Sequence, residues 1–299
     1  MPALNALVRR LRSSPTLRRS AHAMVRLVPD IRVTVNKRAF GPLRFRLRRN
    51  RWFLWEEIGD TDAHTIGTFD RLIRDGDVVY DIGANIGLYT RVMRQWCHAG
   101  PIVAIEPMGE NFELLEENLR LGGMTDVIAI RGAVSDRNGE ESLQVDDVTS
   151  GTAVLDSVSG GQASSGRRSV GLAPRTETVP VWRLDDLIEQ RGLPAPAMMK
   201  IDTEGAEVAV LAGAEQTLRT ASPRLAIALH GPDKAAGTIE LLDAAGYQAY
   251  GYVRDEGESA LAWRRLAPED STRIGDNNIV AARDPSVLVT EIEPRHAPR

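Results

Sequence analysis

Apolar and polar positions follow two alternating periods along most of this chain. The runs VVYDIG, IVAIE and VIAIRGAV, at residues 78–83, 102–106 and 127–134, are short, rich in β-branched residues and almost continuously apolar. Such runs are typical of parallel strands that are buried on both faces. Between them, residues 86–97 and 110–121 place apolar side chains at helical spacing, so the pattern predicts strands that alternate with helices.

The same alternation returns after residue 177. Further strands are predicted at TVPVW, AMMKID, RLAIALH, YQAYGYV and NNIVAA, which span residues 178–182, 197–202, 224–230, 247–253 and 277–282. Helices are predicted near Asp185, over residues 205–219 and around residues 238–245. This order predicts an α/β fold with a doubly wound, mostly parallel seven-stranded sheet, closed by an antiparallel edge strand. The ligand crevice of such a sheet lies at the carboxyl ends of its strands.

Segments of different composition flank and interrupt this pattern. Residues 1–60 form a basic N-terminal arm and capping segment, in which LRFRLR at residues 43–48 predicts a short strand. Residues 61–285 form the main domain, and residues 286–299 are a charged, proline-bearing tail. Residues 150–171 contain eleven Gly or Ser in 22 positions, which predicts a flexible loop. This loop either covers the crevice or is an idle surface insertion.

Charge is distributed unevenly along the 299 residues, whose net charge is −4. Residues 1–51 carry 14 of the 37 Lys and Arg residues and a single acid, Asp30, so this segment has a charge of +13 and the remainder −17. Over residues 4–12, leucine and valine recur at helical spacing between arginines. Residues 1–28 are therefore a candidate for peripheral contact with an anionic membrane or an acidic partner, or for docking on the protein's own acidic body.

Composition narrows the class of protein. Hydrophobic residues make up 42% and charged residues 26%, close to the average of folded globular domains. The single cysteine, Cys97, excludes an internal disulfide, and five scattered histidines give no Cys/His zinc spacing. No apolar run is as long as a signal peptide or a membrane span, so a cytoplasmic protein is expected, with an organelle transit peptide as the alternative. No nucleic-acid partner is expected, and the sequence does not indicate an oligomeric state.

The stretch VVYDIGANIGLYT, residues 78–90, is a strand-to-helix turn with several candidate ligand groups. Gly83 and Gly87 allow a tight bend and a close helix start, where backbone N–H groups face the crevice. A dinucleotide fingerprint requires G-x-G-x-x-G, whereas this D-x-G-x-N-x-G turn has Asn85 at the middle glycine and Asp81 at the strand end. A carboxylate before the turn repels phosphate and favours a cation or hydroxyl groups.

A nucleoside with a positive group and no phosphate fits this turn, and S-adenosylmethionine meets that description. Glu106, at the end of the next strand, is placed to accept hydrogen bonds from both ribose hydroxyls. Asp136, just past the third strand, is a candidate to accept a hydrogen bond from the adenine amine. The SDRNG sequence around it is also an ordinary turn in which Asp136 would cap the backbone.

KIDTEGAE, residues 200–207, brings a second set of carboxylates to a strand end. Asp202 and Glu204 lie at the strand-to-helix junction, and the neighbouring strand delivers His230 to the same crevice. Carboxylates at a helix start also fit capping and dipole roles, and Glu207 is assigned to such a role. Two carboxylates and an imidazole form either an acid/base set or a ligand set for a divalent metal ion.

Taken together, these segments resemble the FkbM family of S-adenosylmethionine-dependent methyltransferases. The resemblance rests on DGDVVYDIGANIGLYT, on VAIEP followed by NFELLEENLRLGG, on WRLDDL and on MMKIDTEGAEVAVLAGA, in this order. It implies a Rossmann-like class I methyltransferase fold and methyl transfer to a hydroxyl of a sugar, glycolipid, polysaccharide or natural-product scaffold. By position it implies cofactor contacts from Asp81, Gly83, Asn85, Gly87 and Glu106, and acceptor-facing roles for Asp202, Glu204 and His230. One departure is Ala228, where the family often has an acidic residue.

In this interpretation His230 is the expected general base, Asp202 its partner or a cofactor contact, and Glu204 an acceptor contact. A metal-assisted version would use the same three residues as ligands. Two alternatives from other classes stay open. One is a nicotinamide-dependent oxidoreductase, which Asn85 and Asp81 disfavour, and the other is a non-catalytic scaffold that holds an anionic partner through the basic arm.

Overall fold

The computed structural model shows an α/β protein whose described residues form three β-sheets. The described residues are 29–38, 40–54, 63–148, 152–169, 171–254 and 261–288. The strands are β1 (Arg32–Lys37), β2 (Gly41–Arg46), β3 (Val79–Ile82), β4 (Ile102–Glu106), β5 (Ile128–Arg131), β6 (Ala133–Val134), β7 (Gly139–Val145), β8 (Ala153–Leu155), β9 (Thr176–Trp182), β10 (Met198–Ile201), β11 (Arg224–Ala228), β12 (Gln248–Arg254), β13 (Leu261–Arg265) and β14 (Ile274–Ala282). The α-helices are α1 (Ala63–Leu72), α2 (Leu88–Met93), α3 (Gly109–Leu121), α4 (Asp156–Ser159), α5 (Ser165–Ser169), α6 (Leu184–Arg191), α7 (Glu207–Ala212), α8 (Glu215–Thr220) and α9 (Pro232–Ala244).

The main sheet has eight strands in the order β13-β12-β14-β11-β10-β3-β4-β5. The five strands from β11 to β5 are parallel, whereas β14 is antiparallel to both β11 and β12. This order confirms the predicted doubly wound, mostly parallel fold. The sheet has one strand more than predicted, because β13 pairs with β12 as an additional antiparallel edge strand. The predicted closing pair of β12 and β14 is antiparallel but lies inside the sheet.

Alternate residues of the central strands pack into two hydrophobic cores, one on each face of the main sheet. Val79 of β3 is buried with Leu114 of α3 in the first core. Its neighbour Tyr80 is buried with Val210 of α7 in the second. Burying one such side chain completely contributes about 1.5–3 kcal/mol. Burial on both faces explains why the strand sequences are almost continuously apolar.

The predicted strand over residues 127–134 is divided between two sheets. β5 and β6 lie on either side of Gly132, whose φ is 151°. A Cβ at Gly132 would lie 2.1 Å from Cζ3 of Trp182, so only glycine fits this close approach. From there β6 joins a four-stranded sheet of order β6-β9-β7-β8, which packs on Met108 and Ala206 at the ends of β4 and β10.

The Gly- and Ser-rich segment at residues 150–171 has regular structure. Its described residues form β8, α4 and α5. Asp146 accepts a hydrogen bond from the backbone N–H of Gly166 at 2.9 Å, and Arg167 bonds Asp147 at 2.5 Å. The described part of this segment therefore contains regular elements, and these bonds connect it to residues that follow β7, while its flexibility stays a prediction.

The hairpin of β1 and β2 belongs to the same folded unit as the main domain. Leu43 and Phe45 are completely buried in the first core. Asn118 of α3 accepts a hydrogen bond from the backbone N–H of Arg44 at 2.7 Å and donates to the carbonyl groups of Arg44 and Ile86 at 2.8 Å each. The boundary predicted at residue 60 thus does not separate two cores.

Arginines of the N-terminal segment pair with acidic residues of α3. Arg32 bonds Glu113 at 2.6 Å, and Arg49 bonds Glu110. Part of the basic charge is therefore balanced by the protein's own acids. The predicted basic helix at residues 1–28 and the tail beyond residue 288 lie outside the described residues. In the part of the chain that is described, no helix is both long and apolar enough to cross a membrane.

Candidate active site

A cavity lies at the carboxyl ends of β3, β4 and β10, where the second sheet covers them. It contains about 630 Å³ of empty space, part of which is open to solvent. Five predicted site residues line this first cavity: Gly83, Asn85, Glu106, Asp202 and Glu204. Ile105 and Val134 add apolar walls, and Leu143 and Leu155 of the second sheet close it from above.

The glycine turn is shaped by its contacts with neighbouring elements. A Cβ at Gly83 would lie 1.9 Å from the carbonyl oxygen of Asp202, so the turn lies directly against the end of β10. Asn85 has a φ of 51°, a left-handed conformation that asparagine adopts more readily than most residues. A Cβ at Gly87 would lie 2.6 Å from Cδ1 of Leu115. Gly87 therefore serves the packing of α2 on α3 and does not line the first cavity, and its contact with the cofactor stays a prediction.

Glu106 holds the glycine turn from the end of β4. Its Oε2 accepts a hydrogen bond from the backbone N–H of Asn85 at 2.8 Å, and its Oε1 accepts one from that of Met108 at 2.9 Å. Burial raises the pKa of Glu106 to about 7, although these N–H groups, the side chain of Asn111 and the charge of Lys200 oppose the rise. Each carboxylate oxygen has a second lone pair, so Glu106 can still accept hydrogen bonds from a ligand.

Asp81 lies beneath the turn and not in the first cavity. It is completely buried, and its carboxylate accepts hydrogen bonds from Oγ1 of Thr90 at 2.6 Å and Nζ of Lys200 at 3.0 Å. Lys200 also donates to the carbonyl oxygen of Gly83 at 3.2 Å and lies 3.7 Å from Oδ2 of Asp202. The Asp81 carboxylate forms an ion pair between β3 and β10, and its direct contact with the cofactor stays a prediction.

Asp202, Glu204 and His230 meet where β10 and β11 end. Nε2 of His230 lies 3.8 Å from Oδ1 of Asp202 and 3.6 Å from Oε2 of Glu204. Burial raises the pKa of Glu204, and the charge of Asp202 adds to the rise while His230 opposes it. Glu204 also has a φ of 53°, which is strained for a residue with a long side chain. Strain and a perturbed pKa together are typical of functional sites.

The hydrogen-bond partner of His230 is Glu207, which the sequence pattern assigned to a helix start. Glu207 is completely buried, and its Oε1 lies 2.9 Å from Nδ1 of His230 and accepts a hydrogen bond from the backbone N–H of Gly205 at 2.9 Å. Burial lowers the pKa of His230, but the carboxylates around it outweigh burial and raise the pKa to about 8. Asp202 and Glu204 lie beyond hydrogen-bonding distance, so Glu207 orients the ring in their place.

Sequence comparison decides which chemistry this geometry serves. The family profile described as "Methyltransferase FkbM domain" matches residues 81–252, more than half of the chain. The chain belongs to the FkbM methyltransferase family. It is 30% identical over 191 residues to 31-O-demethyl-FK506 methyltransferase FkbM of Streptomyces tacrolimicus, a match that covers 57% of this chain and 72% of that protein.

A second curated relative and a solved structure also match this chain. The chain is 27% identical over 146 residues to hexuronic acid methyltransferase AglP of Haloferax volcanii, covering 49% of this chain and 53% of AglP. It thus spans about half the length of that relative. Among solved structures, a methyltransferase FkbM from Methylobacillus flagellatus KT aligns with a TM-score of 0.42 and 17% identity, covering 70% of this chain and 44% of that one.

This FkbM-family chain is therefore a methyltransferase whose cofactor is S-adenosylmethionine. The residues of the first cavity fit that molecule by their chemistry. Glu106 provides a carboxylate for hydroxyl groups, Ile105 and Val134 provide apolar walls for a flat ring, and Asp202 and Glu204 provide negative charge for a cationic end. The oxidoreductase and scaffold alternatives are set aside by the family match.

Asp136, the predicted adenine contact, does not line the first cavity, and that contact stays a prediction. Asp136 is exposed, and its Oδ1 accepts hydrogen bonds from Oγ of Ser135 at 3.2 Å and from Arg137 at 3.1 Å. The chain leaves the main sheet at Gly132, so the wall of the first cavity is formed by Gly132 to Val134 instead. The sequence did not show this departure, because a single glycine within an apolar run is a weak signal.

No group of three or more His, Cys, Asp or Glu side chains among the described residues is arranged to hold a metal ion. Asp202, Glu204 and His230 therefore do not form such a group in this structure. The residues that sequence reasoning missed are Glu207 and the walls supplied by β7 and β8. KIDTEGAE contains Glu207, but its spacing alone fits a helix start equally well.

Proposed function

We propose that this protein methylates a hydroxyl oxygen of a sugar, glycolipid, polysaccharide or natural-product scaffold. The observation that carries the proposal is the imidazole of His230, which is hydrogen bonded to Glu207 and turns Nε2 toward Asp202 and Glu204 beside the first cavity. The names of the two curated relatives support it. One describes O-methylation of a demethylated FK506 and the other methylation of a hexuronic acid.

The turn and Glu106 are proposed to hold the nucleoside end of the cofactor. Glu106 would accept hydrogen bonds from ribose hydroxyls while it keeps the backbone of Asn85 in place. Bound S-adenosylmethionine supplies a methyl group on a sulfonium, which is activated for transfer. Asp202 and Glu204 favour the positive charge at that end of the first cavity. Glu204 would also position the acceptor hydroxyl.

His230 is the proposed general base. Because Nδ1 is hydrogen bonded to the Glu207 carboxylate, Nδ1 keeps its proton and Nε2 is the nitrogen that titrates. The acceptor oxygen would take the methyl group that bound S-adenosylmethionine supplies, with the carbon–sulfur electron pair left on the departing thioether, and the hydroxyl proton would pass to Nε2 of His230. Holding the acceptor oxygen in position for this transfer would provide much of the rate.

Methylation of a cellular acceptor would test this function. Glycans and glycolipids from cells with and without the protein are compared by mass spectrometry, and the expected difference is one CH₂ group per modified site. With the acceptor fraction so identified, His230→Asn should lower turnover by about 10²- to 10⁴-fold, because the base is lost, while cofactor affinity stays unchanged. His98→Asn is the matched control, since the His98 side chain is 70% exposed. Full turnover by His230→Asn would contradict the assignment of the base.

A further inference from the structure

A second cavity shares Asp202 with the first. It contains about 480 Å³ of empty space between α1, Tyr89, the ends of β10 and β11 and the middle of β14. Asp202 is the one described residue that lines both cavities. A ligand in the second cavity would therefore reach the same carboxylate as a cofactor in the first.

The lining of the second cavity combines hydroxyl and amide groups with apolar surface. Thr65 and Thr68 of α1 and Asn278 of β14 provide the polar groups. The rings of Phe69 and Tyr89 lie edge to face, with centroids 5.7 Å apart, and provide apolar surface. Such a lining suits a ring whose edge carries hydroxyl groups and whose C–H faces pack on aromatic side chains.

Charge in the second cavity favours a neutral ligand. Lys200 is the one cationic side chain in its described lining, and its side chain is only 7% exposed. Its ammonium group donates hydrogen bonds to Asp81 at 3.0 Å and to the carbonyl oxygen of Gly83 at 3.2 Å, and it forms an ion pair with Asp202 at 3.7 Å. Asp202, by contrast, keeps 33% of its side chain exposed. The cavity therefore offers a carboxylate to hydroxyl donors and repels a carboxylate on the ligand.

We propose that the second cavity is the acceptor site, and that it binds a neutral ring bearing hydroxyl groups, such as a hexopyranoside. One hydroxyl donates to Asp202, and the reacting hydroxyl extends past Asp202 to Glu204 and to Nε2 of His230, which lies 3.8 Å from Oδ1 of Asp202. This inference rests on the proposed function and narrows its substrate class. It predicts a different acceptor from the hexuronic acid that the name of the relative AglP describes. The residue shared by the two cavities brings the acceptor oxygen and the transferred methyl group to one place.

The remainder of a larger acceptor can leave the second cavity past Asn278. This residue also lines an open surface depression bounded by His64, Tyr252 and Asp276. The rings of His64 and Tyr252 lie 5.1 Å apart at its edge. A glycoside can therefore place its reacting ring inside while the group attached to that ring extends to the surface.

A pair of variants separates the two cavities. Ala228 is half-buried and lines the second cavity, so Ala228→Phe fills it, whereas Ala133→Phe fills the first. Calorimetric titration with S-adenosylmethionine should give Ala228→Phe a Kd within about threefold of the native value and Ala133→Phe a Kd raised at least about tenfold. If Ala228→Phe binds S-adenosylmethionine normally, this also shows that the variant is folded. Thr65→Leu, on the half-exposed first turn of α1, is the milder second variant.

The acceptor class is tested with matched probes and a radiolabelled methyl group. The probes are the methyl glycosides of glucose, galactose and mannose and of the corresponding uronic acids. The native protein should methylate a neutral member with a kcat/KM at least about tenfold above that of its uronic acid counterpart, a difference of about 1.4 kcal/mol. Ala228→Phe should abolish that transfer, and Thr65→Leu should raise KM for the glycoside.

Several outcomes would overturn this inference. The native protein could prefer the uronic acids, or it could methylate cellular glycans but none of the single-ring probes. Alternatively, Ala228→Phe could retain full methyl transfer, or it could bind S-adenosylmethionine more weakly than the native protein. Absence of any methylation, of probes and of cellular glycans alike, would instead contradict the proposed function itself.

Discussion

At the scale of single residues, backbone strain directs a carboxylate into the site. Glu204 has a φ of 53° and is followed by Gly205 with a φ of 104°, so the chain turns sharply between β10 and α7. A left-handed conformation at a residue other than glycine costs of order 1–3 kcal/mol and persists only where its surroundings maintain it. Here it places the Glu204 carboxylate 3.6 Å from Nε2 of His230, where a regular strand-to-helix junction would not.

The pKa of His230 is expected to depend on Glu207. The carboxylate of Glu207 stabilises the imidazolium ion, so Glu207→Gln should lower the pKa of His230 from about 8 by roughly one unit or more, as expected for a hydrogen bond to a charged group. NMR titration of the His230 ring protons measures this directly. In turnover, the rising limb of the pH profile should move to lower pH by the same amount, because the neutral base forms earlier.

The same pair gives a pH dependence of stability. Because the native pKa of His230, about 8, exceeds the unfolded value of about 6.5, its contribution is complete below pH 6.5 and is lost as pH rises through 8. Glu207→Gln should flatten this loss in thermal melts. Glu189→Gln, at an exposed position of α6, is the control and should change neither measurement. An unchanged His230 pKa in Glu207→Gln would show that Glu207 does not determine the charge of the ring.

At the scale of elements, close backbone contacts decide where helices and strands end. The helix predicted over residues 205–219 is divided into α7 and α8. At the division the chain passes close to the backbone of Ser135, since a Cβ at Gly213 would lie 2.0 Å from the Ser135 carbonyl oxygen. β3 and β10, the two adjacent strands below the glycine turn, are joined by the ion pair of Asp81 and Lys200 as well as by their ladder. These contacts fix the ends of β3 and β10, which line the first cavity.

Breaking that ion pair should destabilise the protein strongly. Asp81→Asn leaves the buried ammonium of Lys200 without its main partner, so the free energy of unfolding should fall by about 3–5 kcal/mol. The double variant Asp81→Asn with Lys200→Met should recover part of this loss, since no charge is then left buried. Urea unfolding gives both values.

An exposed ion pair provides the comparison. Asp126→Asn removes the partner of Arg94 at a side chain that is 62% exposed, and should cost no more than about 1 kcal/mol. If Asp81→Asn instead weakened cofactor binding with no change in unfolding, Asp81 would contact the cofactor directly, and the structural role given to it here would be wrong.

At the scale of the whole molecule, the basic N-terminal segment has two parts with different roles. Residues 29–54 contribute β1, β2 and the buried side chains Leu43 and Phe45 to the first core. Their arginines face the acidic side of α3. The four-stranded sheet covers the carboxyl ends of β3, β4 and β10, so the first cavity is closed by a segment that is distant in sequence from the glycine turn.

Truncation distinguishes these two parts. Removing residues 1–51 deletes two strands and exposes the core that Leu43 and Phe45 fill, so the free energy of unfolding should fall on the order of 5 kcal/mol. Removing only residues 1–28 should change thermal unfolding much less, because both strands and the buried Leu43 and Phe45 are retained. Circular dichroism melts of both truncated chains test this. Equal melting of the two would mean that the hairpin does not support the core.

Local patterns predicted the elements well where burial on two faces or one helical stripe dominates. β3, β4 and β10 were found from their apolar runs, and the ends of parallel strands necessarily share one edge of the sheet. This is why the sequence alone predicts that Glu106, Asp202 and His230 lie at one edge of the sheet. Asp81 and Gly87 belong to the same motif. The motif does not predict that Asp81 pairs with a buried lysine or that Gly87 packs against α3.

The sequence by itself determined the doubly wound sheet, the glycine turn, the family and the strand ends that carry the chemistry, because these depend on periodicity and on short local motifs. Only the tertiary structure decided that Glu207 orients His230, that Lys200 neutralises Asp81 and that Asp202 lines two cavities. These are contacts between side chains on different elements, over separations of 23 and 119 residues in the two pairs. Their partners are selected by distance, burial and charge in three dimensions, which no spacing along the chain encodes.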